Sequence, residues 1–298
     1  MSKPRVLVTG ATGSTGRFTI DNLLLSGANV RALVHTEDDR AAALRARGVD
    51  VVIGNLLDPE SLRPALVDVD SAYFVYPVRA QLMEAAVYFA YAAAEAGVGA
   101  VVNMSQISAR RDAVSDAARQ HWFTEKVFDW AGVPVTHLRP TFFMEWLKYP
   151  FQLPLILEKS ILSVPAGNSR HAPIAASDQG RLITAILLDP KPHAGQTYQL
   201  LGAVEMNHAE VAAAMSEVLG RTITYVNEDM QSFEDRLKKI DAVPAHRIQH
   251  FLGVYVDYQN GVFAGTNDLI ERVTGTPPMT VQQYIKSNQA DFMVPDPS

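Results

Sequence analysis

Gly10-Ala-Thr-Gly13-Ser-Thr-Gly16 follows directly on the apolar run Arg5-Val-Leu-Val-Thr9. A short run this apolar predicts a strand buried on both faces, as in a parallel sheet. The three glycines then have separate duties. Gly10 permits a sharp turn off the strand, Gly13 lets the backbone come close to a pyrophosphate, and Gly16 lets the next helix pack tightly. A helix over about Gly13 to Ser26, stopped by Gly27, points free N–H groups and a positive dipole end at phosphate oxygens. Thr12, Ser14 and Thr15 add hydroxyl donors. Spaced glycines alone are a weak signal. Set between an apolar strand and a helix at the head of a βαβ series, they predict a dinucleotide cradle.

The series continues outward from that loop. Strands are expected at Val30 to Val34, Val49 to Ile53, Ser71 to Tyr76, Ala100 to Met104 and Thr136 to Leu138. Helices are expected at Asp38 to Arg47, along the Ala-rich stretch ending at Glu95, and at about Ala117 to Ala131. This alternation predicts an α/β fold, a Rossmann-type doubly wound parallel sheet over residues 1–140. From Thr141 the rhythm changes to helices with brief strands, rich in Pro, Phe and Met. Residues 141–298 are therefore read as a smaller, mostly helical C-terminal substrate lobe. Residues 177–200, with a helix over Asp178 to Leu188, are expected to return to the first domain. Arg110 to Ala118 is polar and aperiodic and reads as a mobile loop.

Composition narrows the classes. The chain has 298 residues, enough for both parts, and 48% apolar with 19% charged residues is a globular balance. A net charge of −6 without a basic face argues against direct nucleic-acid binding. The apolar stretch Ala85 to Ala94 is too short to span a bilayer, and no signal segment opens the chain. Cysteine is absent, which removes disulfides and thiolate nucleophiles and fits a cytoplasmic setting. The histidines show no metal-ligand spacing, so no metal is expected.

The loop spacing is Gly-x-x-Gly-x-x-Gly, and further motifs follow it in order. They are Val30-Arg-Ala-Leu-Val-His35, Gly54-Asn-Leu-Leu-Asp58, Leu138-Arg-Pro140 with Phe143-Met-Glu145, and Ser177-Asp-Gln-Gly-Arg181. Later come His208-Ala-Glu210, Leu219-Gly-Arg221 and Thr280-Val-Gln-Gln-Tyr284 before Asp291-Phe292. Over nearly its whole length the chain resembles the NmrA-like family, in the atypical branch of the short-chain dehydrogenase/reductase superfamily. The resemblance implies either an NADPH-dependent quinone or dye reductase, or a redox-inactive NAD(P)-sensing regulator.

Cofactor preference turns on the end of the second strand. An acid there would bind the adenosine ribose and disfavour a 2′-phosphate. His35 stands in that place, where many proteins of the family it resembles carry an Arg. Arg40 can reach the same spot, while Glu37, Asp38 and Asp39 oppose a phosphate. The expectation is NADP(H) over NAD(H). Strand ends supply the other candidate contacts. Asn55 and Leu56 flank the adenine, Tyr76, Pro77 and Val78 lie along the ribose, and Ser105, Pro140, Phe142 and Phe143 approach the nicotinamide.

Superfamily members of the usual type carry Tyr-x-x-x-Lys, whose tyrosine donates the proton during hydride transfer. This chain has no such pair. His121 takes the lysine's place and Ala117 the tyrosine's, and His121-Trp-Phe-Thr124-Glu125-Lys126 resembles bacterial NmrA-like quinone reductases. A quinone needs no enforced acid, because the hydroquinone anion is a tolerable product. His121 is the candidate catalytic group and a candidate cofactor contact, or else a residue capping the preceding loop. Glu125 is expected to pair with Lys126 or Arg119 on the surface. Phe142, Phe143 and Trp146, closed by Tyr255, are the candidate pocket for a small planar apolar substrate. Under the sensor reading the Arg110–Ala118 loop docks a regulatory protein, and a homo-oligomer is open under either reading.

Overall fold

A computed structural model describes residues 3–241 and 243–293. It divides into two units. The first holds the chain up to Arg111, Ala117–Arg139 and Ala176–Gln199; the second holds Asp112–Asp116, Pro140–Ala175 and the chain from Leu200 onward.

The first unit is laid down as β1 (Arg5–Val8), α1 (Ser14–Leu25), β2 (Asn29–Val34), α2 (Asp39–Ala46), β3 (Asp50–Ile53) and α3 (Pro59–Leu66). It goes on with β4 (Ser71–Phe74), α4 (Leu82–Glu95), β5 (Ala100–Met104), α5 (Asp116–Trp130) and β6 (Val135–Pro140). Next in the chain are α6 (Leu153–Lys159) and β7 (Ile161–Val164), then α7 (Ala176–Leu188) and β8 (Thr197–Leu200). The seven-stranded sheet runs β3-β2-β1-β4-β5-β6-β8, with β1 parallel to both β2 and β4. The strand order therefore reverses direction between β1 and β4, which is where such sheets open a binding crevice. Val6, Leu7 and Val8 are fully buried, as their unbroken apolar run requires.

Each face of the sheet is covered for a local reason. Phe74 of β4 meets Phe89 of α4 at 5.0 Å and Phe128 of α5 at 5.2 Å, both tilted. Such pairs add about 1 kcal/mol each beyond the area they bury. On α7, Gly180 lies so near α1 that a Cβ there would stand 2.5 Å from the Phe18 Cβ and 2.8 Å from the Phe18 carbonyl carbon. Thr184 Oγ1 also donates to the Thr19 carbonyl at 3.3 Å. The glycine of Ser177-Asp-Gln-Gly-Arg181 is thus a packing residue. Helix α3, for which the sequence analysis set no expectation, carries a readable start: Asp58 caps it by accepting from the Glu60 N–H, and Pro59 opens it.

The second unit ends with α8 (His208–Leu219), β9 (Thr224–Asn227), α9 (Met230–Lys238), α10 (Ala245–Gln259), α11 (Leu269–Thr274) and α12 (Val281–Ser287). A parallel pair, β7 with β9, is its small sheet. Its centre is aromatic: Phe142 contacts Trp146, Tyr255, Tyr258 and Phe263 with centroids 5.3 to 6.2 Å away. Residues 112–116, expected within a mobile loop, are held instead. Ser115 Oγ and His250 Nδ1 are 2.8 Å apart, Gln249 bonds the Val114 carbonyl and the Asp116 N–H, and Gly253 abuts Ser115. Ala113 and Ser115 are buried, so a polar, aperiodic stretch is fixed by contacts distant in sequence. Among the described residues no helix is long and apolar enough to cross a membrane.

In this unit His171 and His208 are buried and His250 is half-buried, and loss of hydration depresses the basicity of all three. His208 is lowered to about 3, His250 to about 4, and His171 falls well below its usual value. Unfolding frees them to take up protons near pH 6.5, so the unfolded chain binds more protons below that pH. Their contribution is fully present above about pH 6.5 and is lost as pH falls, by roughly 1.4 kcal/mol per unit for each residue. The urea midpoint should therefore drop between pH 7 and pH 5, and drop less in His208→Phe. An unchanged midpoint over that range would remove this account.

Candidate active site

β1 ends at Val8, and Thr9 ties its end to β4: the Thr9 N–H donates to the Tyr73 carbonyl at 3.0 Å and Thr9 Oγ1 accepts from the Val75 N–H at 2.9 Å. Gly10 then turns with φ +56°, the left-handed region that favours glycine. A Cβ on Gly10 would meet Val75 Cγ1 at 2.5 Å. The Gly13 N–H donates to the Gly10 carbonyl at 2.8 Å, closing the loop. A Cβ on Gly16 would collide with that same carbonyl oxygen. Gly13 is the residue before α1, its side without a Cβ is exposed, and no side chain caps the helix. No acid stands in the first turn. Unclaimed N–H groups and a positive helix end thus face outward where the glycines leave room, which fits a pyrophosphate.

Thr12 and Ser14 are exposed beside this cradle. Thr15 is not: its hydroxyl is buried 2.8 Å from the Tyr73 hydroxyl, so it anchors α1 to β4 and offers the cradle only its backbone. Burial in turn pushes the Tyr73 phenol well above its usual range.

Towards β2 and β3, His35 is exposed just past the end of β2. Arg40 does not swing free. Its Nε and Nη2 donate to Asp38 Oδ2 at 2.9 and 2.6 Å, while Asp38 Oδ1 caps α2 through the Arg40 and Ala41 N–H groups. The Arg40 bond is the first cause holding the Asp38 carboxyl below its usual range. Glu37 is likewise paired with Arg45. Asn55 turns its side-chain oxygen to the Leu57 N–H at 3.0 Å, and Leu56 is half-buried against the core.

On the β4 side, Tyr76 turns inward. It is 4% exposed, packs in the core beside Leu56 and Leu82, and carries the Arg79 guanidinium 4.9 Å from its ring centre. The Tyr76 side chain is thus not available to a ribose as expected, whereas Pro77 beside it is exposed and Val78 half-buried. At β5, Ser105 Oγ donates to Glu125 Oε1 at 2.6 Å, and Arg139 Nε and Nη2 donate to Glu125 Oε1 and Oε2 at 2.8 and 2.5 Å. Glu125 is 1% exposed, so its pairing with Lys126 or Arg119 is replaced by a buried bridge to Arg139. Lys126 pairs with Asp129 instead. His121 lies one turn before Glu125 on the same buried face of α5.

Pro140, Phe142 and Phe143 cluster in the second unit, where Phe143 bridges to Ile174. Trp146 is 2% exposed and Tyr255 fully buried, so both are core, not the walls of an open pocket. Trp146 packs edge-on to Phe142 at 5.3 Å, and Tyr255 against Phe233 at 5.1 Å. The second unit does contain a cavity of about 250 Å³, lined among others by Met144, Pro173, Met206, Met279 and Val281. None of the expected pocket residues lines it.

A model of the NmrA-like family matches residues 2–284. The chain belongs to that family. This NmrA-like protein is 29% identical over 287 residues to an NAD(P)H azoreductase of Xenophilus azovorans, covering 96% of this chain and 99% of that one. Its fold is similar to that of an NADPH-dependent quinone oxidoreductase of Escherichia coli solved with NADPH, with TM-score 0.84, 23% identity and coverage of 95% and 99%. It is similar too to NmrA, a negative transcriptional regulator solved with NADP, with TM-score 0.81, 19% identity and coverage of 96% and 95%.

Sequence reasoning missed the roles of Thr9 and Arg139 in this NmrA-like chain, and it missed that Asp38 holds Arg40. Arg139 stood in the quoted Leu-Arg-Pro motif, but its partner lies on another element, so only the fold shows the pair.

Gly13→Val tests the cradle. Its added Cβ would lie 3.2 Å from the Gly10 oxygen and point outward, so folding should survive while ADP affinity falls at least about thirtyfold. Calorimetric titration with unchanged ADP binding would show that phosphates do not sit there.

Proposed function

We propose that this chain is an NAD(P)H-dependent reductase that passes hydride to a quinone-like or other planar apolar acceptor. The observation that carries the reading is the glycine loop, whose outward N–H groups and missing side chains match a dinucleotide pyrophosphate. The likeness to an azoreductase along nearly the whole chain supports the reductase half of it.

The dinucleotide, when bound, supplies the hydride. The chain's residues bind and orient it: Gly10 to Gly16 at the phosphates, His35, Asn55 and Leu56 towards the adenosine, and Ser105 and His121 towards the ring. The acceptor takes the hydride and one further proton to become a hydroquinone, and His121 is the group assigned to donate that proton or to bond the ribose. Ala117 stands where related reductases of other types use tyrosine, so acceptors that demand a protein acid are disfavoured.

NADPH oxidation over a panel of small quinones is the direct test. Turnover should fall about tenfold or more in His121→Ala while ADP affinity stays unchanged. Tight nucleotide binding without oxidation above that variant, across the panel, would favour the second reading, a dinucleotide sensor docking a protein. The likeness to the regulator NmrA and the Ala117 position support that reading.

NADP(H) is the proposed form over NAD(H): no acid directly follows β2, and Arg40 meets a 2′-phosphate once it displaces Asp38. Asp38→Asn keeps a good helix cap and removes the competing charge. NADPH affinity should rise several-fold with NADH affinity unchanged. Equal effects on both nucleotides would take Arg40 out of cofactor selection.

A further inference from the structure

Ser105, Glu125 and Arg139 close a buried hydrogen-bonded triad within the first unit. A serine hydroxyl carries one hydrogen and two lone pairs. The Ser105 hydrogen goes to Glu125 Oε1 at 2.6 Å, and both oxygens of that carboxylate are held by the Arg139 fork. An arginine-paired carboxylate has no proton to return, so the direction of the serine bond is fixed. Redirecting the hydrogen would leave a carboxylate that is 1% exposed short of a donor, a costly exchange. The Ser105 N–H is committed as well, to the Leu138 carbonyl at 2.7 Å. Towards any further group Ser105 offers lone pairs only.

The strand order says which group that is. The glycine loop leaves β1; β2 and β3 lie to one side, and β4 and β5 to the other. With the adenosine half over β2, the nicotinamide riboside lies over β4 and β5, where Ser105 follows the last residue of β5. Resting on the dinucleotide reading above, we propose that Ser105 is an obligate hydrogen-bond acceptor for the nicotinamide riboside, taking a carboxamide N–H or a ribose O–H. Glu125, bridged to Arg139, is the positioning residue that imposes this polarity. Ser105 then cannot donate to an acceptor's carbonyl, and the substrate's oxygen must find its donor elsewhere.

Calorimetric titrations of the whole protein with ADP, NADPH and the 3-acetylpyridine analogue of NADPH test this. ADP has no nicotinamide riboside, and the analogue has a methyl ketone where the carboxamide amine would be. ADP affinity should be unchanged in Ser105→Ala and Glu125→Gln, while NADPH affinity falls about fivefold to tenfold in each. The double variant should lose no more than either single one, because Glu125 acts through Ser105. If Ser105→Ala leaves the analogue unaffected, the donor is the carboxamide; if the analogue weakens as NADPH does, the donor is a ribose hydroxyl. Unchanged NADPH affinity in Ser105→Ala, or additive losses in the double variant, would overturn the proposal. Should Glu125→Gln fail to fold, Ser105→Ala decides alone. Failure of the wild type to bind ADP would instead bring down the dinucleotide reading itself.

Discussion

The close approach of the first turn of α1 to the Gly10 carbonyl is the constraint on which the first unit depends. No Cβ fits at Gly16 against that oxygen, and none fits at Gly10 against Val75. With both removed, α1 can start at once after β1 and lie low on the sheet. Its low position in turn lets Gly180 bring α7 onto Phe18, and the hydroxyls of Thr15 and Tyr73 lock α1 to β4. The geometry that exposes backbone donors to a phosphate is thus the same geometry that closes the core. Binding loop and packing seam share their residues.

What could be read from the sequence follows from how local each cause is. The glycine loop, the strand β1 and the helix end at Gly27 were legible because their causes lie within a few residues. The NmrA-like resemblance was legible because its motifs occur in order along the chain. Three features were not. Glu125 was assigned to charged neighbours in sequence, but its partner Arg139 lies one strand away. Tyr76 and Thr15 were given outward roles, although an amphipathic side chain next to a cleft can equally turn inward, as both do. Residues 112–116 read as a loose loop because polarity without periodicity says nothing about anchors on a distant helix.

The second unit shows the same limit from the other side. Phe142, Phe143 and Trp146, closed by Tyr255, were expected to line a pocket. In space they mostly satisfy one another: Phe142, Tyr255, Tyr258 and Phe263 form a continuous stack of edges and faces. Into that stack the chain inserts His171 and His208, 4.9 Å apart and both fully buried. They stay neutral because burial forbids their charge, which makes an otherwise oily centre sensitive to acid.

The nucleotide-binding unit is not one stretch of chain. Its helix α7 and most of its last strand, β8, are reached only after Pro140–Ala175 have been laid down in the other unit. During synthesis the ribosome therefore delivers the glycine loop first and the surface that covers α1 last. Until Gly180 arrives, the face of α1 bearing Phe18 and Thr19 lacks its partner helix. A fragment ending near residue 140, cut where the sequence suggests a domain border, would keep every cradle glycine yet leave that face bare. Such a fragment is a poor carrier of the binding activity, and the two units are bound to a common order of assembly.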